Sequence, residues 1–319
     1  MPHALVTGAT GVIGLTLVRA LLAANWQVRT LSRSELSQSL PVEHMTGDLT
    51  DPVVVERAVS GVDCVFHLAA LLHVENPSPD LETAYYQINT QATEQLARAA
   101  YSNGIGRFVF FSTVKVYGVH SRVPIPETHS TQPQSMYARS KLMAEERLQH
   151  VDVPWTILRL SPVYGPRMKG SWARLMRAIE RGIFLPVGNM TNVHSLSHVD
   201  DVVKAALFAV SNPLCECQVY NVVTQETPTL YDILNAMYVT AGRKMPSIKL
   251  PSALVMPSAD ILDVVFGVAG KRSPVPKSAL LQLIKDEAYS GQKLREAGFV
   301  PAVNLSEGWR SSQYDKVEG

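Results

Sequence analysis

Cysteine is scarce in this 319-residue sequence, which has only Cys64, Cys215 and Cys217. Three thiols in a chain of this length cannot form a disulfide framework, and Cys215 and Cys217 lack a second Cys or His pair nearby to close a zinc site. A reducing compartment and no bound metal are expected. An excess of either charge is also missing: 29 Lys and Arg face 28 Asp and Glu, a formal net charge of +1. That balance excludes a chain-wide basic field of the kind that holds nucleic acid, so any anionic ligand has to be held locally. Long apolar runs are lacking too. The richest stretch, 253–269, is interrupted by Pro257, Asp260, Asp263 and Gly267, which argues against a membrane span. The first residues, Met1-Pro2-His3-Ala4-Leu5-Val6, show no basic region ahead of an apolar run and do not read as a signal peptide. The expectation is a cytoplasmic protein. No repeat or low-complexity tract is visible.

With 46% hydrophobic and 18% charged residues and a mean hydropathy of +0.04, the chain has the composition of a folded protein with a sizeable core. Its length suits two domains, or one large α/β domain with an appended part. Runs rich in β-branched and apolar residues at 3–7, 27–32, 64–68, 107–112 and 155–160 alternate with amphipathic stretches at 12–23, 52–60, 83–102 and 135–149. Such alternation needs crossover connections and predicts a doubly wound, Rossmann-like parallel sheet covered on both faces. After Pro162 the pattern loosens into a smaller, mixed C-terminal part with amphipathic runs at 172–181 and 199–210. The segment 246–277 combines several prolines with a wide apolar surface, and reads either as a lid or as an ordinary packed subdomain.

The first strand runs into Gly8-Ala9-Thr10-Gly11-Val12-Ile13-Gly14, which opens a helix. Glycines spaced this way between strand and helix serve a tight turn (Gly8), close approach of backbone to a pyrophosphate (Gly11) and close helix packing (Gly14), while the helix N-terminus offers free N–H groups. Nucleotide binding follows, with Val12 and Ile13 in the first turn. It divides the chain into a dinucleotide-binding domain, 1–165, to which some later segments return, and a mainly substrate-binding part, 166–319. At the end of the second strand, where a carboxylate would bond a free ribose 2′-hydroxyl, stand Ser32 and Arg33. This favours NADP(H), with NAD(H) as the alternative if Arg33 only stacks on adenine or is solvated. Further on, Tyr137 and Lys141 stand four apart and share one helix face, where an ammonium can ease formation of a phenolate.

These pieces, with Gly47-Asp48-Leu49-Thr50-Asp51, His67-Leu68-Ala69-Ala70, Phe111-Ser112-Thr113-Val114-Lys115-Val116-Tyr117-Gly118 and Val163-Tyr164-Gly165-Pro166, resemble the extended short-chain dehydrogenase/reductase superfamily in its epimerase/dehydratase branch. The resemblance implies that Asp48 and Leu49 contact adenine, that Ala69, Ala70 and Ser161 line the cofactor, and that Asn89 supports the site. It also implies that Tyr137 is the general acid/base and that Lys141 holds the nicotinamide ribose while lowering the Tyr137 pKa. Thr113 is the hydroxyl implied for orienting a substrate carbonyl, with Ser112 next door as the fallback, because neighbours on a strand face opposite ways.

A narrower resemblance is to bacterial enzymes that epimerise or reduce the 4-position of nucleotide-linked amino sugars. It rests on the stretch from His67 to Val74, on the residues around Lys115, and on Lys169-Gly170-Ser171-Trp172. Val193 and His194 stand where that group usually shows paired arginines for a diphosphate, and Pro162 stands where the wider family often has a substrate-contacting Asn. Lys115, Lys169, Trp172 and His194 are the substrate-side candidates. The implied activity is NAD(P)-dependent hydride transfer at a secondary alcohol or ketone, at the 4-position of a nucleotide sugar. One alternative is reduction of an apolar ketone, in the manner of 3β-hydroxysteroid dehydrogenases; another is a dinucleotide sensor without catalysis. A small-molecule substrate is expected, with no nucleic acid and no membrane span, and a homodimer is possible.

Overall fold

Seven parallel strands form the centre of the computed structural model, which describes residues 1–36, 38–72, 79–120, 123–251 and 283–312. Their order is β3 (Glu43–Thr46), β2 (Gln27–Ser32), β1 (His3–Thr7), β4 (Cys64–His67), β5 (Arg107–Thr113), β6 (Trp155–Leu160) and β9 (Gln218–Val222). The chain winds outward from β1 to β3, then returns to place β4 on the other side of β1. This reversal opens a crevice at the carboxyl ends of β1 and β4, where ligands bind in such sheets.

Apolar strand residues on both faces explain why helices cover both. On one face α1 (Val12–Ala23) and α7 (Val199–Ser211) bury Leu17, Val18, Val202 and Ala206 against Phe66, Val109 and Leu158. On the other, α2 (Pro52–Val59), α4 (Ala92–Ser102) and α5 (Met136–Gln149) bury Ala58, Leu96 and Ala144 against Val65, Phe108 and Ile157. Two segments beyond residue 165, α7 and β9, thus belong to the sheet's layers. A separate core joins α6 (Ser171–Arg181), α8 (Leu230–Thr240) and α10 (Leu305–Ser311) through Trp172, Met176, Ile233, Met237 and Trp309. A two-stranded pair, β7 (Val163–Tyr164) and β8 (Ser197–His198), links it to the sheet, and α9 (Gln292–Glu296) packs beside β9.

Within the first 165 residues, two elements differ from the sequence reading. The edge strand β3, Glu-His-Met-Thr, has no β-branched or apolar run to announce it. The stretch read as one helix over 83–102 is instead α3 (Pro79–Tyr85), a π-helical turn (Tyr86–Gln91) and α4. Most of 246–277, and His73 and Val74, lie outside the described residues. Among the described residues, no helix is long and apolar enough to cross a membrane, and all three cysteines are unpaired.

Candidate active site

Gly8 takes a φ of +74°, and a Cβ there would sit 2.7 Å from the backbone nitrogen of Ala69. The turn is therefore closed against the chain leaving β4, and only glycine fits it. A Cβ at Gly14 would run into the Gly8 carbonyl oxygen and lie 2.8 Å from Ala9 Cα, which presses the helix onto the turn. Gly11 is the N-cap of α1, without a side-chain cap, and the first turn carries no acid. The N–H groups of that turn, including those of Val12 and Ile13, remain free for an anion. This cradle fits the pyrophosphate of a dinucleotide.

At the end of β2 the Ser32 hydroxyl donates to the Ser34 carbonyl (2.5 Å), which leaves exposed Arg33 as the group facing outward. Asp48 accepts from the Thr50 backbone (2.9 Å) and hydroxyl (2.8 Å). These bonds, with the nearby Arg33 charge, hold its carboxyl below the usual range. Leu49 packs on the core of that sheet face.

Helix α5 begins at Ser135, whose hydroxyl accepts from the Ala138 N–H (3.1 Å), so the first full turn presents Tyr137 and the second Lys141. Tyr137 meets Tyr85 edge to face at 6.4 Å, while Lys141 is 1% exposed and places Nζ 3.9 Å from the centre of the Phe110 ring. Desolvation, with Tyr85 adding, pushes the Tyr137 phenol up to about 12, and burial pushes the Lys141 ammonium down to about 7 against the pull of Glu145. The lowering of Tyr137 expected from Lys141 does not accompany this rise: the ammonium sits over Phe110. Below these residues, Ser112 donates to the Glu145 carboxylate, which also accepts from Arg159 Nη2 (2.6 Å) and Nε (3.1 Å). Thr113 faces the other way and accepts from the Lys115 N–H (3.2 Å), capping the turn Val114–Tyr117.

A buried relay braces the crevice. Ala69 N–H donates to Thr7 Oγ1 (3.2 Å), and Thr93 Oγ1 donates to the Asn89 carbonyl (2.7 Å). His67 between them therefore accepts from Thr7 at Nδ1 (2.7 Å) and donates from Nε2 to Thr93 (2.9 Å), as a neutral ring. Burial, and secondarily Lys141, lower its pKa to about 3. Asn89 accepts from the Leu71 N–H (2.7 Å) and donates to the Leu71 carbonyl and to Ser140 Oγ (both 3.0 Å), tying the segment after Ala69 and Ala70 to α5. The π-helical turn supplies this placement, which a regular helix would rotate away.

On the substrate side, two of the four candidates are buried and two are exposed. His194 is 3% exposed and lies against Asn192 Nδ2 (2.7 Å) and the Leu283 carbonyl (3.2 Å), and burial lowers its pKa against the opposing pull of Leu283 and Asp286. A single buried imidazole offers no bidentate fork of the kind an arginine presents to a diphosphate. Trp172, 9% exposed, packs edge-on against His194 at 5.7 Å and joins Trp309 and Tyr164 in the C-terminal core, so its contacts are those of a core residue. Ser161 bonds Ser197 Oγ (2.7 Å), which donates onward to the Val222 carbonyl; its hydroxyl is thus engaged in joining β6, β8 and β9. Lys115 and Lys169 are exposed. Glu287, which no sequence motif singled out, lies within electrostatic reach of Lys115 and Lys285; burial raises its carboxyl and the two lysines oppose the rise.

The NAD dependent epimerase/dehydratase family model matches residues 4–222, and the chain belongs to that family. It is an NAD-dependent oxidoreductase or epimerase of the short-chain dehydrogenase/reductase type. It is 31% identical over 319 residues to a UDP-glucose 4-epimerase of Vibrio cholerae, covering 97% of this chain and 93% of the relative. It is 29% identical over 322 residues to N-acetyl-alpha-D-glucosaminyl-diphospho-ditrans,octacis-undecaprenol 4-epimerase of Escherichia coli O157:H7, covering 99% and 96%. Among solved structures it is similar to MoeE5 in complex with UDP-glucose and NAD, at 25% identity and a TM-score of 0.75, with 99% of each chain covered.

Proposed function

We propose that the protein interconverts alcohol and ketone at the 4-position of a sugar carried on a diphosphate, and so acts as a 4-epimerase or 4-ketoreductase. The observation that carries this reading is the placement of Tyr137 and Lys141 on successive turns of α5, which packs on the Phe110 side of the sheet. Both 4-epimerases named above act, by their names, on a sugar joined through diphosphate. Gly8, Gly11, Gly14 and the first turn of α1 would hold the cofactor's pyrophosphate, with Asp48 and Leu49 at the adenine and Lys141 at the nicotinamide ribose. A bound nicotinamide dinucleotide supplies the hydride acceptor and donor. Thr113 orients the substrate oxygen, and Tyr137, protonated at neutral pH by its raised pKa, gives its proton to that oxygen or takes it back. The phenolate left behind is stabilised by the nearby Lys141 charge.

In this reading the dinucleotide is held by 1–165 together with α7 and β9, and the sugar by the remaining C-terminal elements. Preference for NADP(H) over NAD(H) would rest on Arg33 alone, since the Ser32 hydroxyl is engaged and no acid occupies the ribose position. The test is incubation with UDP-glucose, UDP-galactose and their N-acetylated forms with each dinucleotide, following sugar composition and cofactor absorbance. Conversion between 4-epimers without net cofactor change supports an epimerase, and net consumption with a 4-keto sugar supports a reductase. A second reading, reduction of an apolar ketone, draws support from the loss of a cationic clamp at His194. Turnover of apolar ketones, with no sugar substrate consumed, would replace the first reading by the second.

A further inference from the structure

The near-zero net charge hides an uneven distribution. Segments 166–188 and 241–251 together carry eight Lys and Arg and a single acid, Glu180, so the rest of the chain is net acidic. The fold brings these two segments side by side. Arg243 Nε donates to the Glu180 carbonyl (3.0 Å), and its guanidinium covers Gly182. Tyr238 donates to the Phe184 carbonyl (2.8 Å), the Leu250 N–H to the Pro186 carbonyl (2.8 Å), and the Gly188 N–H to the Leu250 carbonyl (2.9 Å). Arg177 and Arg181, four apart on α6, share its exposed side, and Arg243, Lys244 and Lys249 are also exposed.

Within this basic surround lie four exposed aliphatic residues: Ile183 (72%), Leu185 (41%), Ile248 (72%) and Leu250 (36%). Val187 pairs with Leu250 in parallel register, which brings Leu185 level with Ile248 two residues back. Large aliphatic side chains clustered in water inside a ring of one charge mark an interaction face.

We propose that this face docks on an anionic lipid bilayer surface, with the aliphatic side chains entering the headgroup layer and the basic side chains meeting lipid phosphates. The chemistry of the face selects this occupant. A second copy of the same face would bring like charges together. Nucleic-acid surfaces interleave basic side chains with exposed aromatic ones, whereas the aromatic residues of these two segments, Trp172 and Phe184, are buried and half-buried. The proposal is independent of which substrate the enzyme takes, and it puts the protein at a membrane through a surface contact that needs no spanning helix.

The test is flotation of the full chain with phosphatidylcholine vesicles and with vesicles in which one lipid in three is phosphatidylglycerol, at low and high salt. Retention by the anionic vesicles alone is expected, weakening about tenfold or more at high salt, because each basic residue near an anionic surface strengthens binding roughly fivefold. The triple variant Arg177→Glu/Arg181→Glu/Lys249→Glu should lose retention, and Ile183→Ser/Ile248→Ser should weaken it about tenfold. Unchanged dinucleotide affinity in both variants would show that they fold, and flotation needs no turnover, so failure of the sugar reading leaves the result interpretable. Four outcomes would overturn the proposal: no retention by anionic vesicles, equal retention by neutral ones, undiminished retention of the triple variant, or tighter binding to a DNA duplex than to the anionic vesicles.

Discussion

Ser112 and Glu145 are joined by a buried hydrogen bond from hydroxyl to carboxylate, and that bond divides the labour between two neighbouring hydroxyls. With Ser112 turned toward Glu145 and Arg159, Thr113 is the one that faces the proposed substrate. Thr113→Val should therefore lower kcat by about 10–10³-fold with little change in stability. Ser112→Ala should leave kcat nearly unchanged and cost about 1–3 kcal/mol, since Glu145 loses a buried donor. Urea unfolding and steady-state kinetics on both variants check the pair, and the reverse pattern would exchange their roles.

Tyr137→Phe removes a proton donor and preserves ring shape and the edge contact with Tyr85. The expected result is a fall in kcat of about 10²–10⁴-fold with dinucleotide affinity intact, measured by kinetics and by titration of the cofactor. A variant with near-normal turnover would remove Tyr137 from the chemistry.

Lys141 carries a cost to folding. Its ordinary pKa of 10.5 falls to about 7 in the folded protein, so between those values the unfolded chain holds a proton that the folded one lacks. Stability should rise with pH across that window, and below about 7 the buried charge imposes its full penalty. Lys141→Met should raise stability at neutral pH by roughly 1–3 kcal/mol while abolishing most activity. Denaturation from pH 6 to 10 should show the wild-type slope and a flatter variant.

For His67 the window lies on the acid side. Above about 6.5 the ring is neutral in both states; below it the unfolded chain takes a proton that the folded ring refuses until about 3. Stability should be lost progressively as pH falls through that interval. His67→Gln should be less stable at neutral pH by about 1–3 kcal/mol, through the broken relay, yet lose up to one proton of acid sensitivity. Equal acid slopes for both proteins would mean that the ring is not held neutral.

How much of this was legible in the sequence follows from what each residue's role depends on. The glycine turn could be read because steric freedom is a property of the residue type, and Gly8 and Gly14 are closed in by backbone that any strand-turn-helix brings near. Tyr137 and Lys141 could be read from helix geometry. The same geometry places Glu145 four residues further along, and an arginine inside the apolar strand Trp155–Leu160 signals a buried partner, so the Glu145–Arg159 pair was available and went unread. The burial of His194 and Trp172 is not legible, because resemblance supplies a position and not a direction: their contacts with Leu283 and Trp309 are distant in sequence. The π-helical turn at Asn89 left no compositional mark, and the basic face formed by 166–188 and 241–251 was hidden by a chain-wide charge sum.

Arg33 is the exposed cation next to Ser32 at the end of β2. A 2′-phosphate at the end of β2 would meet an exposed guanidinium beside a serine whose hydroxyl is held by Ser34, while the carboxylate of Asp48 lies within electrostatic reach and offsets part of that charge. A charge-assisted contact in that setting is worth about 1–3 kcal/mol. If Arg33 meets such a phosphate, Arg33→Ala should weaken NADP(H) by about that amount with NAD(H) changed by less than about threefold. Calorimetric titration of both dinucleotides at one salt concentration makes the comparison, because an exposed pair is screened as salt rises. Equal weakening of the two would place Arg33 on the adenine, and no change in either would make it a solvated side chain and leave NAD(H) as the preferred cofactor.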